Sequence, residues 1–139
     1  MKSRVLVRHP APYPTESFVG YMLRLSEANG YPTVQYMFGD SGGLRVGNRS
    51  DLALVARITH QKITDLKRIA YHSSSRKTHM LLGNPVSMSE VTTRRAPVCP
   101  RCVHEEGFLS AHFSLRLMTI CPKHKMLIKV CPGCTKAMT

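Results

Sequence analysis

The chain has 139 residues, 20 Lys and Arg against 8 Asp and Glu, and a formal net charge of +12. That length allows one modest domain or two very small ones, which need a metal or a covalent staple to supplement a thin core. No apolar run follows the basic start to make a signal peptide, and none approaches the roughly 18 residues of a membrane helix. A cytoplasmic protein with reduced thiols is therefore expected, and its odd count of five cysteines points to metal rather than disulfides.

The charge constrains partners. After Glu106 there is no acidic residue, while Arg116, Lys123, Lys125, Lys129 and Lys136 all follow. A surplus of this size calls for an anionic partner, most often nucleic acid, met directly or inside a nucleoprotein assembly.

In chain order, "RHPAPYPTESF" reads as an extended, proline-rich lead-in ending at a helix cap, with Thr15 as N-cap and Glu16 in the first turn. The helix continues through "ESFVGYMLRLSEANG", where Phe18, Tyr21, Met22, Leu25 and Ala28 form one apolar face. Asn29-Gly30 is a stop signal. Gly20 inside the helix costs about 1 kcal/mol relative to alanine, a cost that close approach by another element would explain. "PTVQYMFGD" is a short second helix, and "GDSGGLRVGNRSD" a glycine-rich connector without the lysine of a phosphate-binding loop.

"SDLALVARITHQKITDLKRIAY" carries two apolar sets, Leu52, Val55 and Ile58, then Ile63, Leu66 and Ile69, with Thr59 as a cap between them. Two short helices with a tight break predict a helix-turn-helix. Arg57, Lys62, Lys67 and Arg68 are its candidate nucleic-acid contacts, although an ordinary helical hairpin would show the same solvated face. "YHSSSRKTHMLLGNPVSMSEVTTRRAP" reads as a linker that carries a short helix or strand, and its Arg94 and Arg95 are further phosphate candidates.

The last third holds three knuckles: "CPRC", "CPKH" and "CPGC". Cys99 and Cys102, two residues apart, are answered by Cys121 and His124 at the same spacing, which describes a closed Cys₃His structural zinc site. Proline after the first cysteine presets each turn. "HFSLRLMTI" alternates Phe113, Leu115 and Leu117 with polar residues, predicting a strand between the knuckles. Four ligands leave no open position for catalysis. His104 and Glu106 form an H-x-E, but it follows the first C-x-x-C instead of preceding it as in nucleobase deaminases. No catalytic residue is expected. Cys131 and Cys134 form half of a second zinc site, completed by nothing in the "TKAMT" that follows. The expected organisation is thus a mainly α helix-turn-helix domain over residues 1–95 and a small α+β zinc ribbon or finger over 96–139.

Taken together, "PYPTESFVGYMLRLSEANGY" and the ordered "CPRCVHEEGF", "CPKHKMLI" and "CPGC" resemble the TniQ family of transposition proteins. Two departures stand out: Phe113 replaces a tryptophan usual before the second knuckle, and the second zinc site is cut short. The resemblance implies an adaptor for target-site selection, joining a target-recognition complex to an AAA+ transposition ATPase on DNA. The short length is similar to the adaptors of RNA-guided, CRISPR-associated transposons, whose target complex is an effector with guide RNA. A stand-alone helix-turn-helix DNA-binding regulator containing zinc is the alternative.

Overall fold

The computed structural model describes residues 6–37, 49–70, 72–73, 77–91, 97–126 and 128–130. It is mainly helical, with two small antiparallel sheets. Among the described residues no helix is long and apolar enough to cross a membrane.

Helix α1 spans Phe18–Ala28, and its N-cap is Ser17, whose hydroxyl accepts the Gly20 N–H at 3.0 Å. This corrects the expectation of Thr15. The chain cannot turn helical earlier because residues 15–17 are paired elsewhere. Ser17 N–H donates to the Leu109 carbonyl at 2.8 Å, and Ala111 N–H donates to the Thr15 carbonyl at 2.8 Å. Glu16 bridges Ser110 between them. Glu16 is accordingly outside the first turn. Its buried carboxylate accepts from Arg24 Nε at 2.9 Å, Arg24 Nη2 at 2.8 Å and the Tyr13 N–H at 3.1 Å.

The apolar stripe is buried as its spacing predicts at Phe18, Tyr21, Met22 and Leu25, each at most 1% exposed. Ala28, expected on the same face, is only half-buried at the end of the helix and outside the core cluster. Helix α1 ends at Asn29, with Gly30 left-handed at φ 72°. Gly30 N–H bonds the Glu27 carbonyl and Tyr31 N–H the Ser26 carbonyl, a Schellman closure. The Asn29 amide also grips the lead-in. Its Oδ1 accepts from the Val7 and Arg8 N–H groups, and its Nδ2 donates to the Arg8 carbonyl, each at 2.9 Å. Further along, Tyr21 Oη donates to the Pro10 carbonyl and Arg24 Nη2 to that of Ala11.

Gly20 has the close neighbour its presence implied. A Cβ built there would lie 2.7 Å from Leu109 Cβ and 3.0 Å from Ser17 Oγ. Gly20→Ala should therefore destabilise the protein by about 1–3 kcal/mol through overpacking, despite alanine's better helix propensity. A lower urea midpoint at unchanged slope is the expected reading.

Helix α2 is Val34–Met37, and the glycine-rich connector after it lies mostly outside the described residues. Helices α3 (Arg49–Thr59) and α4 (Ile63–Ile69) follow as the expected pair. Leu52, Val55, Leu66 and Ile69 join α1 and α2 in the main core. Ile63, expected on that face, is 37% exposed. Thr59 does not cap α4: its hydroxyl donates back to the Val55 carbonyl at 2.6 Å, one turn earlier in its own helix. The break is made by His60 at φ 55°, and Lys62 takes the N-cap position without a side-chain bond.

The segment read as a linker folds into a three-stranded antiparallel sheet, β1 (His72–Ser73), β2 (Thr78–Leu81) and β3 (Asn84–Ser87). Leu82 and Gly83, both at positive φ, make the two-residue hairpin turn. A short 3₁₀ turn, Met88–Glu90, comes next. A second small core joins Leu81, Val91 and Ala111.

The strand expected between the knuckles is absent among the described residues. Ala111–Ser114 is a 3₁₀ turn capped by Ser110, and Leu115 makes no more than an isolated bridge, with Val91. The alternating pattern misled because successive apolar residues go to different places. Phe113 packs on the cysteines, Leu115 on the middle core, and Leu117 is 82% exposed. Strands β4 (Pro97–Val98) and β5 (Lys129–Val130) pair antiparallel and bracket the cysteine-bearing segment.

Candidate metal centre

Each knuckle builds a different local structure. In the first, Cys99 is extended at φ −91° and serves as N-cap of α5, Pro100–Glu106, with proline at the helix start where its missing N–H costs nothing. Cys102 then lies in the first turn, and α5 stops at Gly107, left-handed at φ 75°. In the second, the chain doubles back. Lys125 N–H donates to the Cys121 carbonyl at 2.8 Å, and Cys121 N–H to that of Met126 at 2.9 Å. Lys125 takes φ 56° to close the turn.

These two turns bring Cys99 Sγ, Cys102 Sγ, Cys121 Sγ and His124 Nδ1 within 4.8 Å of one another. His124 Nδ1 lies 3.4 Å from Cys99 Sγ, 3.3 Å from Cys102 Sγ and 3.6 Å from Cys121 Sγ. Cys102 and Cys121 sulfurs are 3.5 Å apart. A tetrahedral site with metal–sulfur bonds near 2.3 Å and metal–nitrogen bonds near 2.0 Å has edges of about 3.5–3.8 Å, so the donor cage has the right size. None of the three cysteines is in a disulfide. All three are buried, with Phe113, Met118, Met126 and Ile128 packed around them.

The thiols themselves favour a cation. Burial, then hydrogen bonding with Cys121 and Cys99, pushes the Cys102 thiol up to about 12. Burial also opposes charge on Cys121, yet the backbone N–H of His124, the Cys102 thiol and the Lys123 N–H bring it down to about 6. Three adjacent thiolates cannot all ionise unaided, and a bound dication removes that conflict. The four residues can hold a metal ion with no ligand position left over.

One participant was not anticipated. Glu105, on α5 one turn beyond Cys102, places Oε1 and Oε2 each 3.0 Å from His124 Nε2. Lys123 Nζ is 3.0 Å from the same carboxylate. Lys123, and then His124, holds the Glu105 carboxyl below the ordinary carboxylate range. The Cys99, Cys102, Glu105 series, in steps of three, could have flagged it in the sequence. The H-x-E pair contributes nothing to the cage: His104 and Glu106 are exposed on the same helix. His112 bonds Ser110 instead, Nδ1 to Oγ at 2.9 Å.

Cys131 and Cys134, the half-site of the third knuckle, lie outside the described residues, as do Arg94 and Arg95. Arg57 is exposed in the last turn of α3, Lys62 is exposed ahead of α4, and Lys67 and Arg68 are exposed in its last turn. The metal cage and the helical body are joined through residues 15–17 and 109–111, and by the Tyr13 ring stacked on Phe108 at 4.6 Å.

In comparison with known proteins, the family model described as TniQ matches residues 7–128 of the 139. None of the curated proteins matches the chain.

Proposed function

Because the chain belongs to the TniQ family, a transposition-associated family of accessory proteins, we propose that it is a non-enzymatic adaptor for target selection. It links a target-recognition complex to an AAA+ transposition ATPase on DNA. The observation that carries this reading is the family match across both the helical body and the metal cage. A cage with four protein ligands stabilises shape rather than activating water. Its three thiolates and one imidazole suit zinc, which with three thiolates leaves a local charge of about −1.

In this reading residues 1–95 supply the helix-turn-helix part and residues 96–139 the zinc finger. Cys131 and Cys134 are the candidate ligands of a second zinc site. Within the family resemblance, the target-recognition complex is a CRISPR effector with its guide RNA in the cytoplasm. Arg57, Lys62, Lys67 and Arg68, with Arg94 and Arg95, contact nucleic acid through phosphates.

The deciding experiment is co-sedimentation of the purified protein with the AAA+ ATPase of its transposon on DNA and ATP. An adaptor joins the ATPase–DNA filament and binds DNA alone only weakly. Failure to join, together with tight binding to one DNA sequence, supports the regulator reading, which the exposed cations of α4 also suit. The double variant Lys67→Ala, Arg68→Ala should weaken DNA binding about equally across sequences. It should also lower the slope of log affinity against log salt by about 2, one per lost phosphate contact.

A further inference from the structure

His124 is the one ligand of the cage with two possible donor atoms, and its ring must be turned the right way round to offer Nδ1. A histidine ring can offer either nitrogen, and His124 sits on a tight turn rather than in a regular element. Its Nδ1 is directed at the three sulfurs, and its Nε2 is equidistant, at 3.0 Å, from both oxygens of Glu105. Glu105 comes from the other knuckle's helix, and Lys123, next to His124, is ion-paired to it at 3.0 Å. The carboxylate is therefore held from one side by the turn whose ring it orients. Helix α5 brings it there because residues three apart share a face, so Cys102 and Glu105 both look toward the second knuckle.

We propose that Glu105 is the positioning residue of the metal centre: it fixes His124 with its proton on Nε2 and the Nδ1 lone pair aimed into the cage. The inference rests on the zinc reading above. Carboxylates that accept the second N–H of a metal-bound imidazole orient the ring and raise its basicity as a donor. The same contact locks the two knuckles together through side chains alone, so part of the ordering is done before an ion arrives. Glu106, exposed one residue further along α5, is the natural control.

The test uses the full chain under reducing conditions, with zinc affinity read by competition against a chromophoric chelator. Tautomers are read from the histidine side-chain nitrogen–proton spectrum. Wild type and Glu106→Gln should hold zinc equally and show His124 as a single Nε2–H tautomer. Glu105→Ala should bind zinc about 10–100-fold more weakly. Its His124 Nε2–H, still that tautomer because the metal holds Nδ1, should lose its hydrogen-bonded shift and exchange with water fast enough to broaden away. Glu105→Gln, which keeps an accepting oxygen without the charge, should fall between them, and it also serves if the alanine variant does not fold. Unchanged affinity and an unchanged His124 spectrum in the Glu105 variants would overturn the proposal while leaving the zinc reading intact. A wild-type protein that binds no zinc would overturn both.

Discussion

Cys121→Ser should yield protein without its metal, a fall from about one ion per chain to almost none, with residues 97–130 no longer protected from amide exchange. The expected loss is large because the site's binding free energy is mostly folding free energy. For zinc, the ion proposed above, the apparent contribution in zinc-finger peptides is about 10–16 kcal/mol. Cys121 is 1% exposed, and besides its place in the cage its sulfur accepts the His124 N–H at 3.4 Å, which shapes the turn itself. Serine offers a harder donor that stays protonated at neutral pH. What remains around it, Phe113 with Met118, Met126 and Ile128, is too small an apolar cluster to hold two knuckles and a two-residue strand pair. Elemental analysis with hydrogen exchange gives the answer. A folded Cys121→Ser protein carrying a full metal complement would remove the structural role assigned to the cage.

Arg24→Ala is the second substitution with a large expected effect, about 3–5 kcal/mol, which should place the protein near or below its folding threshold. Glu16 is fully buried, and Arg24 supplies two of the hydrogen bonds to its carboxylate. Removing the guanidinium leaves a charge in the interior with, among the described residues, only the Tyr13 N–H to answer it. The same guanidinium lies 4.7 Å from the centroid of the Tyr13 ring and donates to the Ala11 carbonyl, so the lead-in loses two more supports. Glu16→Gln should cost less, because its amide oxygen can still accept from the Tyr13 N–H and Arg24 Nη2. The charge left unpaired, on Arg24, is partly exposed, although the amide NH2 then faces the Arg24 Nε donor. Equal denaturant midpoints for Arg24→Ala and the wild type would show that the pair contributes nothing.

How much of this could be read in the sequence follows from how local each signal is. Phe18, Tyr21, Met22 and Leu25 announce α1 by spacing alone, and Leu52, Val55, Leu66 and Ile69 announce the α3–α4 pair. The cage was legible because ligand type and two-residue spacing are both specific to it. What was missed depends on partners far along the chain. Thr15 looks like a cap until Ala111 takes its carbonyl. Phe113, Leu115 and Leu117 look like a strand until three separate neighbours claim or release them. The β2–β3 hairpin hid behind a Leu-Gly turn and a proline at position 85, which a central strand would not tolerate but an edge strand does. Glu105 continues the three-residue spacing of Cys99 and Cys102, but an acidic residue beside Glu106 on α5 is not singled out by that spacing until His124 stands opposite it.

The short antiparallel contact between residues 15–17 and 109–111, with Leu109 filling the space that Gly20 leaves open, has a practical corollary for anyone recombining such proteins. A chimera cut between the helical half and the cysteine-bearing half inherits a seam from two parents. The lead-in and the first helix would have to travel with the carboxyl-terminal donor, since a bulkier residue at 20 or a different one at 109 would pry the graft apart.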